Sequence, residues 1–148
     1  MNLPPASKKN LDEALSRHHL RSTRQREHVF GVLMHYKDHP TADEVYGRAK
    51  QGMSNISLAT VYNCLETLSS CGLVKQVNVD REPTRYCHNL KTHAHFHCQK
   101  TNRVYDIDIP QSFVEQLKSI LPKGFSPDKI DISFHGSSEH DSIQCKHL

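Results

Sequence analysis

Apolar residues recur at helical spacing through the first half of the chain and at alternate positions through much of the second. Leu11, Ala14, Leu15 and His18 fall on one face of a first helix. Thr23 can cap a second, in which Val29, Phe30, Leu33 and Met34 form the apolar stripe until His39-Pro40 breaks it. Thr41-Ala42-Asp43-Glu44 has the form of a capping box: the hydroxyl takes a spare backbone N–H and the carboxylate reaches back. The helix it opens carries Val45, Tyr46 and Ala49 and ends at Gly52. Ser57 starts a fourth helix, with Leu58, Val61, Leu65 and Leu68 inward. Thr60, Asn63, Glu66 and Thr67 lie on the opposite face, Tyr62 is on the flank, and Gly72 supplies the left-handed residue that stops the helix. The period then switches to two. Residues 73–79 and 84–88 read as strands joined by the polar turn Asp80-Arg81-Glu82-Pro83.

Further along, His93-Ala94-His95-Phe96-His97-Cys98 and Val104-Tyr105-Asp106-Ile107-Asp108 alternate as two strands of a hairpin. Phe113, Val114, Leu117, Ile120 and Leu121 make an amphipathic helix closed by Pro122-Lys123-Gly124. Ile130, Ile132 and Phe134 alternate as a third strand, and a polar tail begins at Ser137. The expected architecture is α+β: a winged helix-turn-helix over 1–88, then a small α/β domain over 89–148. A helical bundle with an incidental hairpin is the alternative for the first half. Three strands and one helix bury too little surface to stand alone, so a second copy is expected to complete that core as a homodimer.

Composition narrows the class. No apolar run approaches the roughly 20 residues of a membrane span, and Met1-Asn2-Leu3-Pro4-Pro5 lacks the charged-then-apolar pattern of a signal peptide, so a cytoplasmic protein is expected. Five cysteines, odd in number and scattered, do not make a disulfide framework; Cys64 and Cys71 read as buried helix residues. Lys and Arg outnumber Asp and Glu 12 to 9 through Arg85, while the remainder is balanced at 7 to 7. A basic first half fits a module that meets a polyanion.

Alternation also supplies the candidate chemistry. His93, His95 and His97 share one strand face, and imidazole suits zinc, iron, copper or nickel. Asp106, on the neighbouring strand, adds a hard oxygen. The competing reading is three solvated histidines on a wet sheet. No nucleophile–base pair stands out, which argues against an enzyme.

With these pieces placed, the chain resembles the ferric uptake regulator family over roughly Leu11 to Gly136. The resemblance rests on Leu20-Arg21-Ser22-Thr23-Arg24-Gln25-Arg26, His39 to Tyr46, Ser57 to Asn63, Gly72-Leu73-Val74, and His93 to Cys98 with Asp106. Val61-Tyr62-Asn63 is similar to the peroxide-sensing, PerR-like branch. The resemblance implies a homodimeric repressor that binds a palindromic, A/T-rich DNA operator when one divalent metal per subunit joins its two modules. Fe2+ is the expected ion, with Mn2+ or Zn2+ as alternatives. The implied ligands fall on His39, Cys87, His93, His95 and Asp106. Arg24 and Arg26 would hold phosphates, Ser57 and Thr60 would lie at the DNA, and Tyr62 and Asn63 would face bases.

Cys87 is a departure, since the family mostly has a carboxylate there; Asp80, Glu82 or His88 could take its place. A thiolate favours zinc or tightly held iron over manganese. The two Cys-x-x-Cys pairs of many members are incomplete: Thr101 stands where a partner to Cys98 belongs, and Gly136 to His140 holds no pair. No structural zinc is therefore expected, although Cys98 with His140, Cys145 or His147 is a conceivable substitute. A third metal site of some members also looks lost, Thr92 and Ala94 replacing two of its residues.

Overall fold

The computed structural model describes residues 3–79 and 81–139. The chain divides into two compact units, Met1–Leu90 and Lys91–Leu148. The expected boundary at 88/89 falls in the connection just before that division.

The first unit opens with α1 (Pro5–Arg17), α2 (Arg24–Tyr36), α3 (Ala42–Gly52) and α4 (Leu58–Ser70). Three of the four starts are capped by the residues the sequence nominates. Thr23 accepts from the Arg26 N–H, Thr41 from the Glu44 N–H and Ser57 from the Thr60 N–H. Helix α4 ends in a Schellman turn: Gly72 has φ +74°, its N–H donates to the Ser69 carbonyl, and the Leu73 N–H donates to that of Leu68. Leu11, Leu15, Val29, Val32, Val45, Val61, Leu65 and Leu68 are fully buried between these helices. Leu58 was expected with them, but it is 38% exposed. It occupies the first turn of α4, and the inward positions are filled by Val61, Cys64, Leu65 and Leu68.

Gly52 ends α3 for a packing reason. His28 is buried, and its ring nitrogen meets the Ala49 carbonyl at 2.8 Å. A Cβ at Gly52 would stand 2.7 Å from that ring.

Strands β1 (Lys75–Val77) and β2 (Arg85–Cys87) follow as an antiparallel hairpin with Lys75 opposite Cys87. Both are shorter than the alternation suggested. Near the turn, Thr84 donates to the Asn78 side chain at 2.7 Å, and Arg81 takes a left-handed φ of +66°.

Among its described residues, the second unit is a three-stranded sheet with one helix. Its strands are β3 (His93–Cys98), β4 (Val104–Asp108) and β5 (Ser133–Gly136), in the order β4-β3-β5. The helix is α5 (Gln111–Ser119). The β3–β4 pairing is antiparallel and β3–β5 is parallel. Cys98 and Tyr105, with Phe96, form a small apolar cluster, and Val114 is the buried residue of α5. Leu117 is half-buried, Phe113 is 45% exposed, and Ile120 and Leu121, which lie beyond the end of α5, are 77% and 37% exposed. The last strand starts later than its alternation suggested, leaving Ile130 and Ile132 outside it and Phe134 51% exposed. Apolar periodicity marks which residues seek burial, and one helix on three strands cannot cover them all.

Candidate metal centre and nucleic-acid interface

In the second unit the β3–β4 register assembles the chemistry. His95 stands directly opposite Asp106, and cross-strand partners share a face. His93 precedes His95 by two residues and shares that face. The three side chains converge. The Nε2 atoms of His93 and His95 are 3.0 Å apart, and Asp106 Oδ1 lies 3.2 Å from the first and 3.4 Å from the second. Ligands about 2.1 Å from a single ion at tetrahedral angles stand about 3.4 Å apart, and slightly closer in an octahedron. The triangle has the dimensions of one face of a metal site.

Tautomer chemistry supports the same fit. His93 Nδ1 faces the Lys91 carbonyl, which can only accept, so Nδ1 carries a proton. In the neutral ring, Nε2 then presents its lone pair to the carboxylate and to His95. A lone pair aimed at a carboxylate is unfavourable, so either a second proton on the ring or a metal ion belongs between them. Tying the distal nitrogen to a carbonyl is also how ligating histidines are oriented. His93 is 7% exposed and Asp106 is half-buried, so solvent does little to dilute the arrangement.

The first unit brings together a second pair. The segment before α3 lies along β2: Thr41 bridges to Arg85, and the Tyr86 N–H donates to the Pro40 carbonyl at 2.9 Å. That pairing sets His39 beside Cys87, both buried, with ligand atoms within 4.8 Å of one another. Arg85 locks the segment, donating from Nη1 to the His39 carbonyl at 2.9 Å and approaching Glu44 at 3.6 Å. On the other side Arg48 holds Asp38 with two hydrogen bonds of 2.9 and 2.8 Å and stacks on Tyr36 at 4.3 Å. Burial alone would raise the Asp38 pKa, but Arg48's hydrogen bonds and charge outweigh it and hold the carboxyl below its ordinary value. Arg85, Arg48 and Asp38 carry no motif that marks these roles in the sequence. Glu44 and Arg48, four residues apart on one helix, were the available signal.

Among the alternatives to Cys87, Glu82 is exposed in the hairpin turn, His88 follows β2, and Asp80 lies outside the described residues. Cys98 is buried at the end of β3, and Thr101 sits in the β3–β4 turn, its hydroxyl accepting from the Arg103 N–H. His140, Cys145 and His147 also lie outside the described residues.

The nucleic-acid candidates surround α4 and the start of α2. Tyr62 and Asn63 are exposed on α4. Ser57 and Thr60 bond each other through their hydroxyls at 2.8 Å, so both serve the helix cap. Arg24 is exposed at the start of α2, whereas Arg26 is half-buried and donates to the Arg21 carbonyl at 2.7 Å. Tyr86 of the hairpin belongs to the same buried cluster as Val61 and Leu65 of α4, and burial, then Tyr62 and Glu66 nearby, hold its hydroxyl above the ordinary phenol pKa.

The profile of the ferric uptake regulator family matches residues 17–135. The chain belongs to this family. Its members are divalent-metal-binding transcription regulators rather than enzymes. The chain is 36% identical over 99 residues to the peroxide-responsive repressor PerR of Staphylococcus epidermidis, a match covering 66% of each protein. The match to the Staphylococcus aureus PerR is 34% identical and spans 62% of each chain. Among solved structures, the Campylobacter jejuni peroxide stress regulator is 30% identical with a TM-score of 0.68, covering 85% of this chain and 94% of its own. The Helicobacter pylori Fur superposes with a TM-score of 0.76 at 18% identity over 94% of this chain and 93% of its own, a likeness of fold.

Proposed function

We propose that the chain is a metal-dependent transcriptional repressor that acts as a homodimer on a palindromic, A/T-rich DNA operator in the cytoplasm. The carrying observation is the convergence of His93, His95 and Asp106, with His93 oriented by the Lys91 carbonyl. In this reading one divalent ion per subunit is held by His39 and Cys87 from the first unit and His93, His95 and Asp106 from the second. A bound ion would supply a positive centre that both pairs of donors share. The protein's own part is to keep the two donor groups preassembled: Arg85 and Arg48 fix the His39 segment, and the β3–β4 register fixes the other. Shared ligation narrows the range of angles between residues 1–88, the DNA-binding module, and residues 89–148, the dimerisation module. In the dimer that sets the spacing of two α4 helices. Tyr62 and Asn63 read base edges there, Arg24 and Arg26 hold phosphates, and the hydroxyls of Ser57 and Thr60 fix the end of α4 that meets DNA.

Fe2+ fits a site of imidazoles and one carboxylate; the Cys87 thiolate tilts preference toward zinc or firmly held iron and away from manganese. No structural zinc is proposed, because the partners Cys98 would need in Cys-x-x-Cys pairs are missing. The test is selection of binding sequences from random duplex DNA by the full chain, with and without Fe2+. Enrichment of a palindrome only with metal is expected. Equal enrichment without metal, or none in either arm, overturns the proposal.

The identity with proteins named peroxide-responsive repressors favours a finer reading, in which peroxide is the signal. Mass spectrometry of the iron form after mild peroxide tests it. Addition of one oxygen atom to His39 or His93 with DNA release supports it. Oxidation confined to Cys87 and reversed by dithiothreitol indicates a thiol switch instead. No modification, with unchanged DNA binding, leaves plain metal-level sensing.

A further inference from the structure

The polar face of the second unit's sheet does not end at His95. His97 follows on the same face of β3, and its register partner on the parallel edge strand β5 is His135. The two imidazoles lie 4.6 Å apart between centroids with planes inclined by 10°. His97 is 6% exposed and held on the central strand, whereas His135 is exposed on the edge. The pair is thus half anchored and half open to solvent.

We propose that His97 and His135 form a second metal-binding site, for a borderline divalent ion such as Ni2+, Cu2+ or Zn2+. The register sets its selectivity. His95 faces Asp106 across β3–β4, but His97 faces Val104, so no carboxylate is supplied at the corresponding position. Two imidazoles without a carboxylate suit nickel, copper and zinc and give magnesium, calcium or manganese little to bind. Neighbouring residues in register have Cβ atoms close enough for two imidazoles to share one ion. Rotation of the exposed His135 ring brings one of its nitrogens toward the ion that the anchored His97 holds. The remaining positions are filled by water, so this site is weaker than the one at His93, His95 and Asp106. His95 and His97 have ring centroids 6.4 Å apart, wider than the 4.5 Å between His93 and His95, which separates the two sites along the strand.

The experiment is an anaerobic Ni2+ titration of the full chain, read by bound metal per chain and by imidazole NMR signals. Four proteins are compared: wild type, His135→Ala, His97→Val, and His93→Ala/His95→Ala. Wild type is expected to take up a tight ion and then a weaker one that moves the His97 and His135 signals together. In His135→Ala the weaker ion's affinity falls about tenfold or more, the size a disrupted metal environment ordinarily carries, while the tight ion is retained. His97→Val repeats that result from the buried side. The double variant keeps the weaker ion and loses the tight one. Uptake of a single ion by wild type, or a weaker ion that persists in both His135→Ala and His97→Val, overturns the second site. The tight ion's loss in the double variant is scored separately, so the second site can fail while the first stands.

Discussion

The two units spend burial differently. The first fills its interior with Leu, Val and Ala, and three of its helices begin at side-chain caps. The second encloses only a small cluster of Cys98, Tyr105 and Phe96 and leaves Phe113, Ile120, Phe125 and Phe134 open, although each unit buries two histidines, His28 and His39 in the first and His93 and His97 in the second. A small apolar cluster beside several open large apolar groups is the reverse of what a self-sufficient core does. Under the proposed function, the contrast is between a first unit built to be stable and a second built to bind, with metal on one face of its sheet and a second copy on its open apolar residues.

The largest expected effect tests the binding half of that contrast. His93→Ala/His95→Ala is expected to abolish metal-dependent DNA binding, a loss of at least about a hundredfold for removed metal ligands, while circular dichroism stays that of the folded chain. Retained metal response in the double variant would remove the site assignment.

The stability half comes next. Leu65→Ala, at a fully buried position of α4, is expected to cost about 2–5 kcal/mol in denaturant unfolding. Ile120→Ser, at an exposed one, is expected to change the fold by less than about 0.5 kcal/mol and to weaken self-association in sedimentation experiments. Equal effects of the two on stability would erase the distinction between the units.

These contrasts also explain what the sequence made legible. Helix starts at Thr23, Thr41 and Ser57 and the stop at Gly72 depend on local chemistry, hydroxyl to N–H and a left-handed φ, so they could be read directly. That Asp106 lies on the strand beside the histidines was legible from alternation, whereas its place opposite His95 is set by the hairpin turn. The His97–His135 pairing was not legible: β5 joins β3 in parallel after an intervening helix, and alternation does not say which strand an edge strand will meet. The bracing of His39 by Arg85 was hidden for the same reason, being a pairing between residues distant in sequence. Leu58, Phe113 and Ile120 show the opposite failure: their spacing is apolar and periodic, but burial depends on what lies opposite.

A smaller effect sharpens the first unit's account. Ser57→Ala removes the hydroxyl that accepts the Thr60 N–H at 3.1 Å and is expected to cost about 1 kcal/mol. Thermal unfolding reads the loss, and a Ser57→Asp variant that restores an acceptor should recover most of it. The smallest is kinetic. Burial pushes the Cys64 thiol above its ordinary pKa, so the reactive thiolate is scarce near neutral pH. Alkylation of Cys64 by iodoacetamide in the native protein is expected to be far slower than after denaturation; equal rates would show that this core is open.

Cobalt spectroscopy tests the central proposal, a single ion shared by donors from both units, most directly. Anaerobic Co2+ binding to the full chain is predicted to give a sulfur-to-metal charge-transfer band that disappears in Cys87→Ser and also in His93→Ala/His95→Ala. A band that survives the histidine substitutions, or a tightly bound ion with no sulfur band in wild type, would contradict ligation shared between Cys87 and the β3 histidines.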